Sequence, residues 1–211
     1  LHIQSRLPHS STGVRRYVLL NVKPFIYLCM KIVAFNQVGK PHEVLKLSEE
    51  PIPVPAGGEV CVRVLASPIN PSDVMFVQGL YGIRPELPSR VGFEGVGVIE
   101  SVGEGVTWPV GARVSFTALG AWGEYVLVHH KALIPVPEGF ADELAAQLFV
   151  NPFTAYAMVG GTGVQAGQWL MLTACGSAFG KLGSQRCKRR GSRTIGTGRR
   201  GDLHRGVPAL G

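Results

Sequence analysis

Near the C-terminal end of the chain, one spacing of residue types has direct chemical meaning. The small-residue run Ala174-Cys-Gly-Ser-Ala-Phe-Gly180 follows the apolar segment Gln168-Trp-Leu-Met-Leu-Thr173 and leads into a predicted helix. Backbone N–H groups exposed at a helix start form an anion site, and glycine lets a pyrophosphate approach the chain closely. Gly176, Ser177 and Gly180 supply these features, although the strict G-x-G-x-x-G spacing is absent and a tight strand-to-helix turn is the plainer reading. A second strand is predicted over 193–197, followed by Gly198-Arg199-Arg200. An acid at that point would accept from a ribose 2′-hydroxyl, whereas arginines match a 2′-phosphate. Arg199 and Arg200 therefore favour NADPH, against the alternative of a solvated run of charge.

Other candidates carry less. The cysteines at 29, 61, 175 and 187 form no CxxC pair, so neither a zinc ribbon nor a secreted disulfide framework is signalled, and a reducing, cytoplasmic setting is expected. His129 and His130 are adjacent on a predicted strand, where neighbours point to opposite faces, so they are not expected to share a metal. No apolar stretch reaches the roughly 18 residues of a membrane span. The formal charge of +7 is concentrated at the ends: residues 1–29 hold four Lys/Arg and no acid, and residues 181–211 hold nine against Asp202 alone. The middle, with eight basic and thirteen acidic residues, is acidic. A basic tail without aromatic residues for stacking argues against nucleic-acid binding.

The elements that must position these residues change character along the chain. From Met30 to about residue 137, short apolar runs are punctuated by glycine and proline. Val60, Val62, Val64 and Ala66 alternate with Cys61, Arg63 and Leu65, the period of a half-buried strand. Further runs at 95–102, 112–116, 125–128 and 132–136 predict a small β-barrel. From Ala141 the pattern turns helical: Leu144, Ala145, Leu148 and Phe149 share one predicted helical face, and a second helix is predicted over 152–159. The segment 168–173 reads as a buried strand. With the glycine turn, a helix and the strand at 193–197, it forms the start of a dinucleotide-binding βαβ unit.

Within the barrel, Ile69-Asn-Pro-Ser-Asp73, Gln78-Gly-Leu-Tyr81 and Gly92-Phe-Glu-Gly-Val-Gly97 occur in that order, with the glycine turn about 80 residues on. At these residues the sequence resembles the medium-chain dehydrogenase/reductase family, over Met30 to about Leu182. The nearest branch is that of the zinc-free quinone oxidoreductases and 2-enoyl thioester reductases. The resemblance implies a mixed β and α/β fold: a chaperonin-10-like barrel over 30–140, then an incomplete Rossmann domain over 141–211, with residues 1–29 as an extension outside it. It implies an NADPH-dependent oxidoreductase delivering hydride to an activated C=C bond of an enoyl thioester or enone, quinone reduction being the close rival. Full-length relatives are expected to be homodimers acting on small molecules. A non-catalytic barrel serving as an interaction module is the rival from another class.

Zinc-dependent members of this family use a cysteine and a histidine where this chain has Asn70 and Phe93, so no metal is expected. The thioester reductases' catalytic tyrosine matches Tyr81, which could alternatively be a loop aromatic closing the barrel. By the same carry-over, Asn70 lines the nicotinamide end of the cleft, and Asn151 and Thr154 contact the cofactor or act as helix caps. Glu94, between glycines in an apolar strand start, needs donors if buried and is expected to support the cleft rather than react. Asp73 is expected to cap a helical turn over 71–77. After Leu182 the pattern breaks. Gln185, Arg186 and Arg189 fall where core positions belong, so the helix is expected to bury its face poorly, and Gly183 to weaken it by about 1 kcal/mol against alanine. These features predict a truncated or frame-disturbed copy, aberrant after 182 and possibly inactive.

Overall fold

A computed structural model describes residues 28–198; Arg199 and Arg200 lie outside the described residues, as do residues 1–27. The β-branched and aromatic runs become strands because such side chains pack well on a pleated, half-buried surface. Strand β1 (Cys29–Phe35) pairs with β2 (Lys46–Pro51) across the single-turn helix α1 (Pro41–Val44). It therefore begins one residue inside the expected extension. β3 (Glu59–Ala66) is followed by α2 (Pro71–Val77), the two-residue β4 (Ser89–Arg90), β5 (Glu94–Val102), β6 (Arg113–Thr117), β7 (Tyr125–His129) and β8 (Leu133–Pro135).

An antiparallel five-stranded sheet runs in the order β7-β3-β5-β6-β8, and a second sheet in the order β2-β1-β4. The two are stitched together where Val33 N donates to Trp122 O at 2.8 Å and Glu124 N to Lys31 O at 3.0 Å, which closes the barrel. Its interior is packed by Val60, Val62, Ile99, Val114, Phe116, Val126 and Val128. Burying a side chain of this kind contributes about 1.5–3 kcal/mol. Cys61 is buried along with Val60 and Val62, although only the two valines belong to the interior cluster, so β3 is covered on both faces there instead of one. Register shifts against β5 place an extra residue, Glu100, on β5 opposite Cys61–Val62 and another, Leu65, on β3 between Val64 and Ala66.

Beyond the barrel, the helix expected to begin near Ala141 and to carry an apolar face from Leu144 to Phe149 is only the turn α3 (Asp142–Ala145), with Leu144 exposed and Ala145 buried. Arg113 of β6 bonds the Asp142 carboxylate at the first residue of this turn at 2.6 Å, and Ser115 Oγ donates to Ala145 O at its last at 2.6 Å, so the barrel holds both ends of it. α4 (Val150–Gly161) leads to β9 (Trp169–Leu172), α5 (Ala178–Arg189) and β10 (Arg193–Gly196), and β10 pairs parallel with β9. This is one βαβ unit.

β9 is not the fully buried strand expected. Leu172 is buried against α5, whereas Trp169 and Met171 are exposed on the opposite face, where the Arg193 guanidinium lies 5.4 Å from the Trp169 ring. α5 also departs from expectation, continuing unbroken past Leu182. It buries Gly180, Gly183 and Cys187, a stripe of small residues that lets the helix lie close to its neighbours. Arg186 packs its guanidinium 4.2 Å over the Tyr156 ring of α4, using a polar residue to cover an aromatic one. A Cβ on Gly183 would meet only Leu172 at 3.5 Å and Val159 at 3.9 Å, which are ordinary contacts. Gly183→Ala is therefore expected to stabilise the protein by up to about 1 kcal/mol through helix propensity, read as a higher thermal midpoint. A lower midpoint would show that the stripe tolerates no added methyl.

Candidate functional site

The site is organised by a buried carboxylate. Gly92 adopts φ +95°, where side chains are disfavoured, and a Cβ there would lie 2.7 Å from Trp122 N. The close approach turns the chain into β5, so that Glu94 enters the interior, 1% exposed. Its Oε1 accepts from Asn70 Nδ2 at 2.8 Å. Oε2 accepts from Val150 N at 2.9 Å and Phe149 N at 3.3 Å. These are the donors that a buried carboxylate requires. They also explain how α4 starts: its cap residue, Phe149, has no side chain to offer, and Glu94 takes that role from another element, at the positive end of the helix dipole.

Asn70 is buried at the start of α2, where its backbone N donates to Asp73 Oδ2 at 2.7 Å and Asp73 N donates back to Asn70 O at 3.0 Å. The expected capping role of Asp73 is thus present. Burial pushes the Asp73 carboxyl up to about 6, the nearby Glu94 charge adds to this, and the amides of Asn70 and Phe93 pull the other way. Since the folded-state value lies above the ordinary 3.8, the folded protein holds a proton that the unfolded chain releases. Stability is lost as pH rises from about 4 to about 6, by about 3 kcal/mol at most for a shift of this size. Asp73→Asn is expected to gain on the parent in urea denaturation between pH 4.5 and 7. A difference that stays flat across that window would refute the assignment.

Asn151, the second residue of α4, donates from Nδ2 to Asn70 Oδ1 at 3.4 Å. Asn70, Glu94 and Asn151 therefore form one hydrogen-bonded group joining the barrel to α4. Neither Asn151 nor Thr154 caps the helix: Thr154 is exposed and its Oγ1 donates back to Val150 O at 2.6 Å. Tyr81 lies four residues beyond the end of α2. Its ring stands 5.6 Å from Phe93, which packs edge-on to Phe76 at 5.1 Å, so an aromatic column from the core supports a tyrosine that is 37% exposed. Tyr81 is joined to the Glu94 group through Phe93, the residue beside Glu94. A cleft of about 360 Å³ lined by Phe76, Ile83, Arg84 and Leu119 opens on the same loop, although Tyr81 is not one of its walls. Trp122 Nε1 donates to Pro68 O at 3.0 Å, pinning the segment that precedes Asn70.

The glycine turn forms a second locus, between β9 and α5. Ser177 caps α5, its Oγ accepting from Gly180 N at 3.0 Å, and Cys175 N donates to Thr197 O at 3.1 Å, tying the turn to β10. A Cβ on Gly180 would lie 2.5 Å from Cys175 Cα, so only glycine lets the helix start this close to the strand. The cap serves Gly180 and leaves the first two helical amides, at Ala178 and Phe179, directed out of the helix start. With Gly176 and Ser177 exposed beside them, the turn fits a dinucleotide pyrophosphate.

His129 and His130 do not point to opposite faces. His129 ends β7 and His130 begins a 3-10 turn, and the change of conformation stacks the rings at 4.9 Å. Among the described residues, no cluster of three or more His, Cys, Asp or Glu side chains could hold a metal ion. No helix of the described residues is long and apolar enough to cross a membrane.

Residues 56–138 match the model of the alcohol dehydrogenase GroES-like domain. Over 173 residues the chain is 35% identical to the mitochondrial enoyl-[acyl-carrier-protein] reductase of Bos taurus, covering 79% of this chain and 46% of the relative. The quinone oxidoreductase of Pseudomonas syringae superposes with a TM-score of 0.76 at 33% identity, covering 82% of this chain and 54% of that one. The Escherichia coli quinone oxidoreductase complexed with NADPH superposes with a TM-score of 0.75 at 30% identity, over 82% and 53%. The chain belongs to the medium-chain dehydrogenase/reductase family. It spans about half the length of the curated relatives it matches.

In this family member, the sequence motifs brought Asn70 and Asn151 to one place and set Gly176, Ser177 and Gly180 apart in the turn. What the motifs did not name were the other two donors to Glu94, Val150 N and Phe149 N, which are backbone amides and have no signature in residue type. Trp122 was also missed. The only trace of it is Gly92, whose positive φ makes room for the tryptophan.

Proposed function

We propose that this chain serves an NADPH-dependent reduction of 2-enoyl thioesters without a metal. The observation that carries the reading is Tyr81, partly exposed against the ring of Phe93, whose neighbour in sequence, Glu94, anchors Asn70 and through it Asn151. When bound, the dinucleotide supplies hydride to the β-carbon of the unsaturated acyl group. Negative charge then grows on the thioester oxygen, and the Tyr81 hydroxyl donates a hydrogen bond to it. The proton that completes addition across the double bond goes to the α-carbon from the same hydroxyl, which recovers it from water at its exposed edge.

Gly176, Ser177 and Gly180 would hold the pyrophosphate, and the charge of Arg199 and Arg200 would suit the 2′-phosphate. Asn70 and Asn151 would serve the nicotinamide end. Thr154, its hydroxyl proton committed to Val150 O, would meet the cofactor only as an acceptor. Thiols at Cys61, Cys175 and Cys187 that form no disulfide suit a reducing compartment such as the cytoplasm. The bovine relative's name places that protein in mitochondria.

Quinone reduction is the second reading. The P. syringae and E. coli neighbours are quinone oxidoreductases by name, and an electron-poor ring takes hydride with less help from a placed acid. Oxidation of NADPH by the purified protein, followed with a crotonyl thioester and with benzoquinone, separates the two. A specificity constant at least tenfold higher for the thioester supports the first reading; turnover of the quinone alone overturns it.

A further inference from the structure

The Glu94 group has a property that follows from donor and acceptor chemistry alone. A carboxylate only accepts, and the backbone amides of Val150 and Phe149 only donate. Glu94 uses Oε2 for those amides, so whatever meets Oε1 must be a donor. Asn70 is thereby forced to turn Nδ2 toward Glu94 and Oδ1 away. Asn151 must in turn offer Nδ2 to Asn70, leaving its own Oδ1 as the outward group. We infer that Glu94 is a positioning residue whose charge sets the polarity of the Asn70–Asn151 relay, so that α4 presents a hydrogen-bond acceptor to a ligand carrying an N–H donor.

Asn70 is buried, whereas Asn151 is partly exposed, so the relay carries a constraint from the interior to an accessible amide. The consequence for binding rests on the proposed NADPH site, in which the matching donor is the nicotinamide carboxamide. Glu94→Gln reverses the relay without removing a bond. The glutamine must still give its oxygen to the Val150 and Phe149 amides, so its nitrogen faces Asn70. Asn70 then flips to present Oδ1, and Nδ2 of Asn70 turns toward Asn151. Asn151 flips as well, and a donor replaces the outward acceptor.

The experiment has two arms, both on the full chain. In the ¹⁵N-labelled parent, the Asn70 side-chain amide protons are expected to show a nuclear Overhauser contact with the Val150 backbone proton across the carboxylate. In Glu94→Gln that contact is expected to pass to the new glutamine amide. Absence of the contact in the parent overturns the relay, whether or not the variant folds. In the second arm, NADPH fluorescence titration is expected to show at least tenfold weaker binding for Glu94→Gln. In an Asn151→Ala background the same change is expected to alter binding by less than twofold, because no second amide remains to be flipped. A tenfold loss that persists in that background overturns the inference, since a merely structural or electrostatic role for Glu94 does not pass through Asn151. Should the parent bind no NADPH, the cofactor reading fails while the magnetic resonance arm still decides the relay.

Discussion

Glu94→Leu is expected to destabilise the protein by about 3–5 kcal/mol, the scale on which removing one partner of a buried charged network acts. The leucine fills much of the volume but accepts nothing. Val150 N, Phe149 N and Asn70 Nδ2 lose their acceptor together, at about 1–3 kcal/mol for each group that finds no water. The damage concentrates at the start of α4, which has no side-chain cap of its own. Urea denaturation followed by tryptophan fluorescence measures it. A loss below about 1 kcal/mol would mean that the helix start is satisfied some other way and that Glu94 is not its cap.

Tyr81→Phe is expected to lower kcat for a crotonyl thioester by about 10²–10³-fold, which corresponds to about 3–4 kcal/mol of transition-state stabilisation. The phenyl ring keeps the contact with Phe93, so the fold and KM should change little. In the proposed reaction the hydroxyl acts where charge develops, so its loss is expected to be felt only in the transition state. Quinone turnover, which leans less on a placed acid, is expected to stay within about threefold. Steady-state kinetics with both substrates test this; equal losses on the two would point to disturbed cofactor binding instead of a missing acid.

The barrel was legible because its strands carry a period of two and its turns carry glycine and proline. Both signals are local. Cys61 shows where they fail: whether the second face of a strand is also covered depends on other elements, and the strand does not announce it alone. β9 shows another limit, since an apolar run such as Trp-Leu-Met-Leu reads the same whether one face or two are covered, and here only the α5 face is. The polar and basic residues of α5 predict a helix that buries its face poorly. The stripe of Gly180, Gly183 and Cys187 satisfies the packing with residues too small to register as apolar periodicity, and Arg186 lies on Tyr156. At the site, Asn70, Tyr81 and the glycine turn were visible through motifs. The meaning of Glu94 depended on two backbone amides 55 and 56 residues away in sequence, which no residue pattern encodes.

In the proposed reaction, hydride reaches the β-carbon of an enoyl thioester while a proton from Tyr81 reaches the α-carbon. Reducing a crotonyl thioester with NADPH deuterated at the transferred position, in ordinary water, and locating the label in the product by deuterium magnetic resonance tests it most directly. One deuterium at the β-carbon and a solvent-derived proton at the α-carbon are expected. An unlabelled β-carbon, or no saturated thioester formed while benzoquinone is reduced, would contradict it.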